Sequence, residues 1–397
     1  MVVVMMKSEF VQFPSYFKGI AETSKQLDPT NIKILTAMWR YGPRNLLEVS
    51  RKTGLPFTSV YHRVAKLEEK TGRVSYIIPE TAKLGLARVV VLATAKAGAE
   101  QLVSQALMLP NLWRMVNTCE GKYTHLSAHA VPPEFMKDFR EYLHHLTELG
   151  LITSLKVIHT GDTVTNFPNF RYYDPSSKRW SFQWTQWVDA IKKLTPDKEI
   201  DDPSNYNMQF DKKDLLVVKE LEKNARKSLA DLAPMLEMSL PAVKYRFDKR
   251  LRQSGVIQHV GFDVKPFPVE ISAFHEVMAD FPTKEDMNRF YSFINELFFV
   301  DAVAKVLHRN TLLVRTYIPE TQLVNMFSFF SQLANEGIAS SYSPIRLSFG
   351  GRRTQTISYE LYEDEYGWMV NLQQCTLELS KLVEKRILVA GETPSRE

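Results

Sequence analysis

Residues 54–67 read Gly-Leu-Pro-Phe-Thr-Ser-Val-Tyr-His-Arg-Val-Ala-Lys-Leu. On a helix each residue turns about 100°, so Val60, Val64 and Leu67 share one face while Thr58, Ser59, His62 and Lys66 fall opposite. A helix opened by Pro56 therefore buries one side and offers a polar side to a partner. Upstream, Asn45 with Glu48 three residues on is a capping-box arrangement that starts a helix ending at Thr53-Gly54. Asp28-Pro29 caps a further helix through Ile32, Ile34, Leu35 and Met38. Three helices with so tight a turn between the last two form a helix-turn-helix, and the β-rich stretch 73–78 reads as its wing.

Sliding the sequence against itself brings up one ungapped register, an offset of 183 residues, in which Leu27–Ile77 lies on Phe210–Val260. Asp28 meets Asp211, Leu46 meets Leu229, Arg63 meets Arg246 and Lys66 meets Lys249, which reads as an internal duplication. In the second copy Asp211 caps Leu215, Leu216, Val218 and Leu221, and Ser228 with Asp231 opens the next helix. Ser239 and Pro241 start the third helix, which buries Val243, Phe247 and Leu251 and presents Ala242, Lys244, Tyr245 and Lys249. Stretch 256–262 is its wing.

After each wing the order strand, helix, strand, strand, helix, strand follows. The spans are 87–94, 99–109, 113–119, 123–130, 133–149 and 152–160, then 270–280, 284–296, 302–308, 311–318, 320–336 and 340–349. The fold class is thus α+β, two winged helix-turn-helix domains alternating with two ferredoxin-like (βαββαβ) domains. The boundaries follow: an N-terminal extension 1–26, a winged domain 27–82, a ferredoxin-like domain 83–166, an aromatic segment 167–194 and a linker 195–209. A second winged domain spans 210–265, a second ferredoxin-like domain 266–350, and an aromatic segment with a C-terminal helix 351–397. Each sheet has one face that its own helices leave uncovered, so the two sheets should pack face to face as an intramolecular pseudo-dimer, with a homodimer as a possible further step. The aromatic stretch around Trp180, Trp184 and Trp187 reads as packing between the halves rather than as a base-stacking platform.

At 397 residues, 44% hydrophobic and 24% charged, the chain has the composition of a globular protein with several cores. Its longest apolar stretches fall short of the ~20 residues that span a bilayer, and the N-terminus is a poor secretory signal, so a cytoplasmic protein with no membrane partner is expected. Cys119 and Cys375 make neither a disulfide framework nor a zinc site. His144 and His145 are adjacent and so point to different helix faces, which rules out the i, i+4 metal pair. No Ser/His/Asp constellation, phosphate-binding glycine loop or paired-carboxylate motif is evident, and neither an enzyme nor a cofactor is expected.

The net charge is only +5, but segments 28–75 and 211–262 carry excesses of five and four, leaving −4 for the remainder. Local basic excess suits a polyanion partner, here double-stranded DNA. Arg63 and Arg246 flank the presented helix faces and could reach a phosphate or a guanine edge, and Arg44 and Lys227, at the entrance to each second helix, read as phosphate clamps. A winged helix that serves only protein interaction is the blander alternative.

Gly54-Leu55-Pro56-Phe57-Thr58-Ser59-Val60-Tyr61-His62-Arg63-Val64 through Leu67, then Lys83-Leu84-Gly85-Leu86 and Gly121-Lys122-Tyr123-Thr124, resemble the leucine-responsive regulator (Lrp/AsnC) family of winged-helix transcription factors. The resemblance covers roughly 27–160, with a weaker echo at 210–349. It implies DNA binding through the third helix and a sheet domain that dimerises and senses an amino acid or similar effector, with Gly121, Tyr123 and Thr124 as the effector-binding positions. Thr124 stands where the family has Asp, and His308-Arg309-Asn310-Thr311 stands where the second copy's glycine hairpin belongs. Siroheme decarboxylases have a similar build, but the Arg-Arg and Phe-Gly-Ala run expected of them is not visible at 88–95 or 260–267.

Overall fold

The computed structural model describes residue 21 and residues 25–391 except residue 258, with side chains to residue 384. Nearly all of the expected extension 1–26, and residues 392–397 at the end of the expected C-terminal segment, lie outside the described residues.

The first module is α1 (Pro29–Tyr41), α2 (Leu46–Thr53) and α3 (Phe57–Thr71). Asp28 Oδ1 accepts the Asn31 N–H at 2.7 Å, and Asn45 Oδ1 accepts that of Glu48 at 3.2 Å, so donors that a helix start leaves orphaned are satisfied. Gly54 closes α2 at φ +67°, a left-handed cap that costs glycine little. Ile34, Leu35, Val49, Val60, Val64 and Leu67 make the small core. β1 (Ser75–Ile78) follows. Next come β2 (Ala87–Ala95), α4 (Glu100–Met108), β3 (Trp113–Glu120), β4 (His125–Val131), α5 (Met136–Glu148) and β5 (Ile152–Thr160). The half ends with β6 (Val164–Thr165), a hairpin of β7 (Tyr173–Asp174) and β8 (Arg179–Trp180), and α6 (Trp184–Lys193).

The order then recurs with α7 (Lys212–Lys223), α8 (Leu229–Met235) and α9 (Leu240–Tyr245). A reciprocal capping box forms here at Asp211 and Asp214, at the first helix rather than at the second as the sequence indicated. α9 continues not as α-helix but as a π-helical turn over Arg246–Arg252, within which Arg246 and Arg250 both hold Asp214. β9 (His259–Phe262), β10 (Ser272–Asp280), α10 (Lys284–Phe293), β11 (Val300–Val306), β12 (Thr311–Pro319), α11 (Leu323–Asn335) and β13 (Ser341–Leu347) follow. The end is β14 (Arg353–Thr354), a hairpin of β15 (Tyr362–Glu363) and β16 (Gly367–Trp368), and α12 (Leu372–Gly391).

The stretches 73–78 and 256–262, read from the sequence as each module's own wing, pair with each other across the modules. β1 pairs with β9, antiparallel, with Ile77 opposite Val260, the residue 183 positions further on. A local two-fold axis thus passes through that pair.

Both sheet domains show the split βαβ order, β3-β4-β2-β5 and β11-β12-β10-β13. Face-to-face packing was expected, and the structure goes further, because the sheet edges also join. Leu347 of β13 lies opposite Cys119 of β3, and Thr160 of β5 opposite Val306 of β11. Eight strands therefore close into one cylinder, and closure removes the unpaired edges that invite aggregation. Along β2 the alternation is plain: Val89, Val91 and Ala93 pack outward with Phe139 and Leu143 of α5, while Val90 and Leu92 belong to the interior cluster.

The segment trailing each sheet domain covers the other one. Trp187, Val188 and Ile191 of α6 pack with Phe290, Phe298 and Phe329 of the second domain, whereas Leu372 and Leu379 of α12 pack with the first domain's Phe139 and Leu146. Residues 195–209, expected to be a linker, form no helix or strand but are tied down, with Asp202 accepting the His308 N–H at 3.0 Å and pairing with Lys305.

Residues 1–194 expressed alone would expose α6 and both open edges of the first sheet, at β3 and β5. This fragment should pair with itself or aggregate in sedimentation velocity; a soluble, strictly monomeric fragment would contradict the exchanged packing.

Candidate nucleic-acid interface and a basic cavity beneath it

In both modules the third helix spends its inner face on the core and leaves its outer face uncovered. Thr58, His62 and Lys66 are exposed on α3, with Ser59 half-buried beside them. In the second module Lys244, Tyr245 and Lys249 are exposed, Tyr245 at 62%, and Ala242 is half-buried.

The four flanking cations are placed differently from expectation. Arg63 Nη1 donates to Asp28 Oδ2 at 2.8 Å and Asn31 Oδ1 at 3.0 Å, and Arg246 Nη1 donates to Asp211 Oδ1 at 2.7 Å and Asp214 Oδ1 at 2.8 Å. Each arginine pins the third helix of its module to the start of the first helix. Arg44, read as a phosphate clamp, donates to the carbonyls of Ala225 and Lys227 at 2.9 and 2.8 Å and lies 4.9 Å from the Phe247 ring centre. Lys227 pairs with Glu220. Arg226, which the sequence did not single out, returns the tie by donating to the Pro43 carbonyl at 2.7 Å and to Glu68 at 2.9 Å. Arg44 and Arg226 join the modules to each other, their guanidinium groups donating to carbonyls, and for Arg226 a carboxylate, of the other module.

Gly121, Tyr123 and Thr124 close the β3–β4 turn. Gly121 takes φ +106°, Tyr123 is half-buried against the interior cluster, and Thr124 Oγ1 accepts the Ala95 N–H at 2.7 Å and bonds His125 Nδ1 at 2.8 Å. Thr124 is committed to the backbone, and none of the three reaches the cavity described next.

That cavity, of about 510 Å³, lies in the mouth of the cylinder under the paired wings. Its lower wall is apolar, with Val90, Met115, Leu126, Ala128, Val303 and Leu313. Its roof is Tyr76, Ile77 and Ile78 of β1, together with Thr71–Arg73 after α3 and Glu222 and Lys223 at the end of α7. Seven basic side chains line it against four carboxylates, an excess of three. Several are paired: Arg315 Nε donates to Glu276 Oε2 at 2.9 Å, Lys265 meets Asp301, and Arg114 meets Glu222. Arg88 Nη2 donates to Thr163 Oγ1 at 2.9 Å, and its Nη1 stands 4.0 Å from Asp162. Burial lowers the pKa of Arg88; Asp162 partly offsets this, and the neighbouring Arg114 and Arg315 add to it. The sequence reading passed over these residues, although a lone arginine inside the apolar strands 87–95 and 311–319 was the signal that could have found them.

Residues 210–258 match the sequence family described as winged helix-turn-helix DNA-binding. No curated protein matches the chain. Among solved structures, the siroheme decarboxylase NirDL is similar at 11% identity and TM-score 0.49, covering 94% of this chain and 99% of its own. A transcriptional regulator from Neisseria meningitidis, solved with L-Met, is similar over 34% of this chain and 88% of its own at 20% identity and TM-score 0.27. A Pyrococcus furiosus regulatory protein of the AsnC family is similar over 34% of this chain and 88% of its own at 18% identity and TM-score 0.28. The expectation of a non-enzyme is corrected by this finding: NirDL, which spans nearly the whole chain, is an enzyme. Among the described residues no helix is long and apolar enough to cross a membrane.

The cap pairs set an acid limit. Burial pushes the Asp28 and Asp211 carboxyls up, but the Asn31 N–H and Arg63 for the first, and Arg246 and the Asp214 N–H for the second, hold both below the usual carboxylate range. Folded carboxylates of this kind bind protons less readily than unfolded ones, so their contribution is complete above about pH 5 and is lost as pH falls below ~4. The double variant Asp28→Asn with Asp211→Asn keeps a capping oxygen and should lose less stability between pH 7 and pH 3 than the native chain in thermal unfolding; an equal loss would contradict the assignment.

Proposed function

We propose that this chain is a cytoplasmic transcription regulator of the Lrp/AsnC type that binds double-stranded DNA sequence-specifically through both winged modules. Its duplicated halves act as a built-in pseudo-dimer. The observation that carries this reading is the pair of uncovered third-helix faces, each tied from behind by its arginine to the N-cap of the module's first helix. The winged helix-turn-helix match over 210–258 supports it. Arg44, Arg63, Arg246 and Lys227 are left out of the proposed contact set, because each already holds a partner within the protein. Thr58, Ser59, His62 and Lys66 form one reading face, and Ala242, Lys244, Tyr245 and Lys249 the other.

Because the two faces differ in chemistry, they should read unlike half-sites, separated by a whole number of helical turns if both enter the same side of the duplex. Selection from random DNA should return an asymmetric site. His62→Ala with Lys66→Ala should relax preference in one half only, at about 1–3 kcal/mol per specific contact. The logarithm of affinity should fall with the logarithm of salt at about −0.9 per phosphate contacted. A perfect palindrome, or no measurable affinity for any duplex, would contradict the reading.

A second reading, an enzyme acting on a charged tetrapyrrole, is favoured by the basic cavity under the wings. A shift of the tetrapyrrole's Soret band on adding the chain would support it, and an unchanged spectrum would count against it.

A further inference from the structure

We infer that the cavity under the wings is the binding site of an organic polycarboxylate, one carrying at least two carboxylates on a partly apolar body, and that its occupancy is passed to the DNA-reading modules through Glu222. The second half of this inference rests on the reading of the chain as a DNA-binding regulator; the first half does not.

The volume of about 510 Å³ falls within the ~300–1,000 Å³ typical of small-molecule sites. The wall chemistry sets the class. Arg88 Nε and Arg114 Nη1 are buried and find no hydrogen-bond partner in the chain. A guanidinium cannot shed its proton to escape burial as a lysine can, so an unmatched N–H of this kind calls for an anion. The planar fork of each arginine suits a carboxylate, and two such forks beside an excess of three positive charges suit a ligand with more than one. The apolar wall of Val90, Leu126 and Val303 suits the body that links them. A zwitterionic amino acid brings no net negative charge to this surplus.

Coupling follows from what holds the neighbouring donor of Arg114. Glu222 ends α7, the first helix of the second module, and its carboxylate spans Arg114 of β3 and the Ile357 N–H, the latter at 2.7 Å. Its backbone carbonyl accepts from Arg73 Nη1 at 3.0 Å, directly after the reading helix of the first module. A ligand carboxylate on Arg114 Nη1 lies beside the Nη2 that holds Glu222, so its charge repels that carboxylate and acts on the point where both modules meet the cylinder.

The test is calorimetric titration of the full chain with citrate, with uroporphyrin as a large polycarboxylate and with inorganic phosphate and leucine as comparisons. DNA affinity is measured in parallel by fluorescence anisotropy. At least one polycarboxylate should bind, and more tightly than phosphate or leucine; which of the two binds separates a small aliphatic ligand from a macrocycle. Arg88→Gln should weaken binding by about 10- to 100-fold, as expected for the loss of a charge-assisted hydrogen bond. Glu222→Gln should strengthen it and shift DNA affinity in the direction that ligand does. Ala128→Leu fills the cavity without touching a charged group and should abolish binding while circular dichroism shows a folded chain. Failure of both polycarboxylates to bind, or binding indifferent to Arg88→Gln and Ala128→Leu, overturns the site. Ligand binding without any DNA affinity leaves the site standing and removes the regulator reading. DNA affinity that ligand and Glu222→Gln leave unchanged overturns the coupling.

Discussion

The pairing of β1 with β9 is the constraint on which the rest of the structure depends. A helix-turn-helix of three short helices has a small core, and a single strand after it cannot satisfy its own backbone groups. Here each module lends its strand to the other, and the ladder runs through Ile77 and Val260. That exchange fixes the relation of the two reading helices and places Arg44, Arg226 and Lys227 between the modules. It also roofs the cavity, whose upper wall is β1 itself.

The same device recurs lower down. Neither four-stranded sheet is closed by itself, and neither helix layer covers everything, so the edges join into a cylinder and α6 and α12 cross to the other half's helices. Reciprocal exchange at three levels leaves neither half a free-standing domain. It also brings charged residues from both sheets to the cylinder's mouth, where Arg88 and Arg114 of one half meet Arg315 and Lys265 of the other.

Much of this was legible in the sequence, for identifiable reasons. Helix caps at Asp28, Asn45 and Asp211 and the 3.6-residue spacing of Val60, Val64 and Leu67 are local signals, and the helices sit within a residue or two of where those signals put them. The βαββαβ order was equally readable, since strands and helices alternate in apolar period. Strand partners were not readable, because a period-2 pattern states which face is buried and not which strand lies alongside. This is why the wings were assigned to their own modules. Arginine partners were not readable for a related reason: sequence puts Arg44 and Arg63 near the third helix but does not show the carbonyls of Ala225 and Lys227, or the Asp28 carboxylate, that accept from them. The cavity was invisible because its members come from strands about two hundred residues apart.

The central claim is that the wing ladder holds the two third helices in one fixed arrangement. Pulsed electron–electron distance measurement between spin labels on Lys66→Cys and Lys249→Cys tests it most directly. The native thiols should not compete for label, since burial pushes Cys119 up to about 12 and Cys375 up to about 11 and keeps both protonated. The account predicts a single narrow distance distribution without DNA present; a broad or multiple distribution would show modules that move independently and would contradict it.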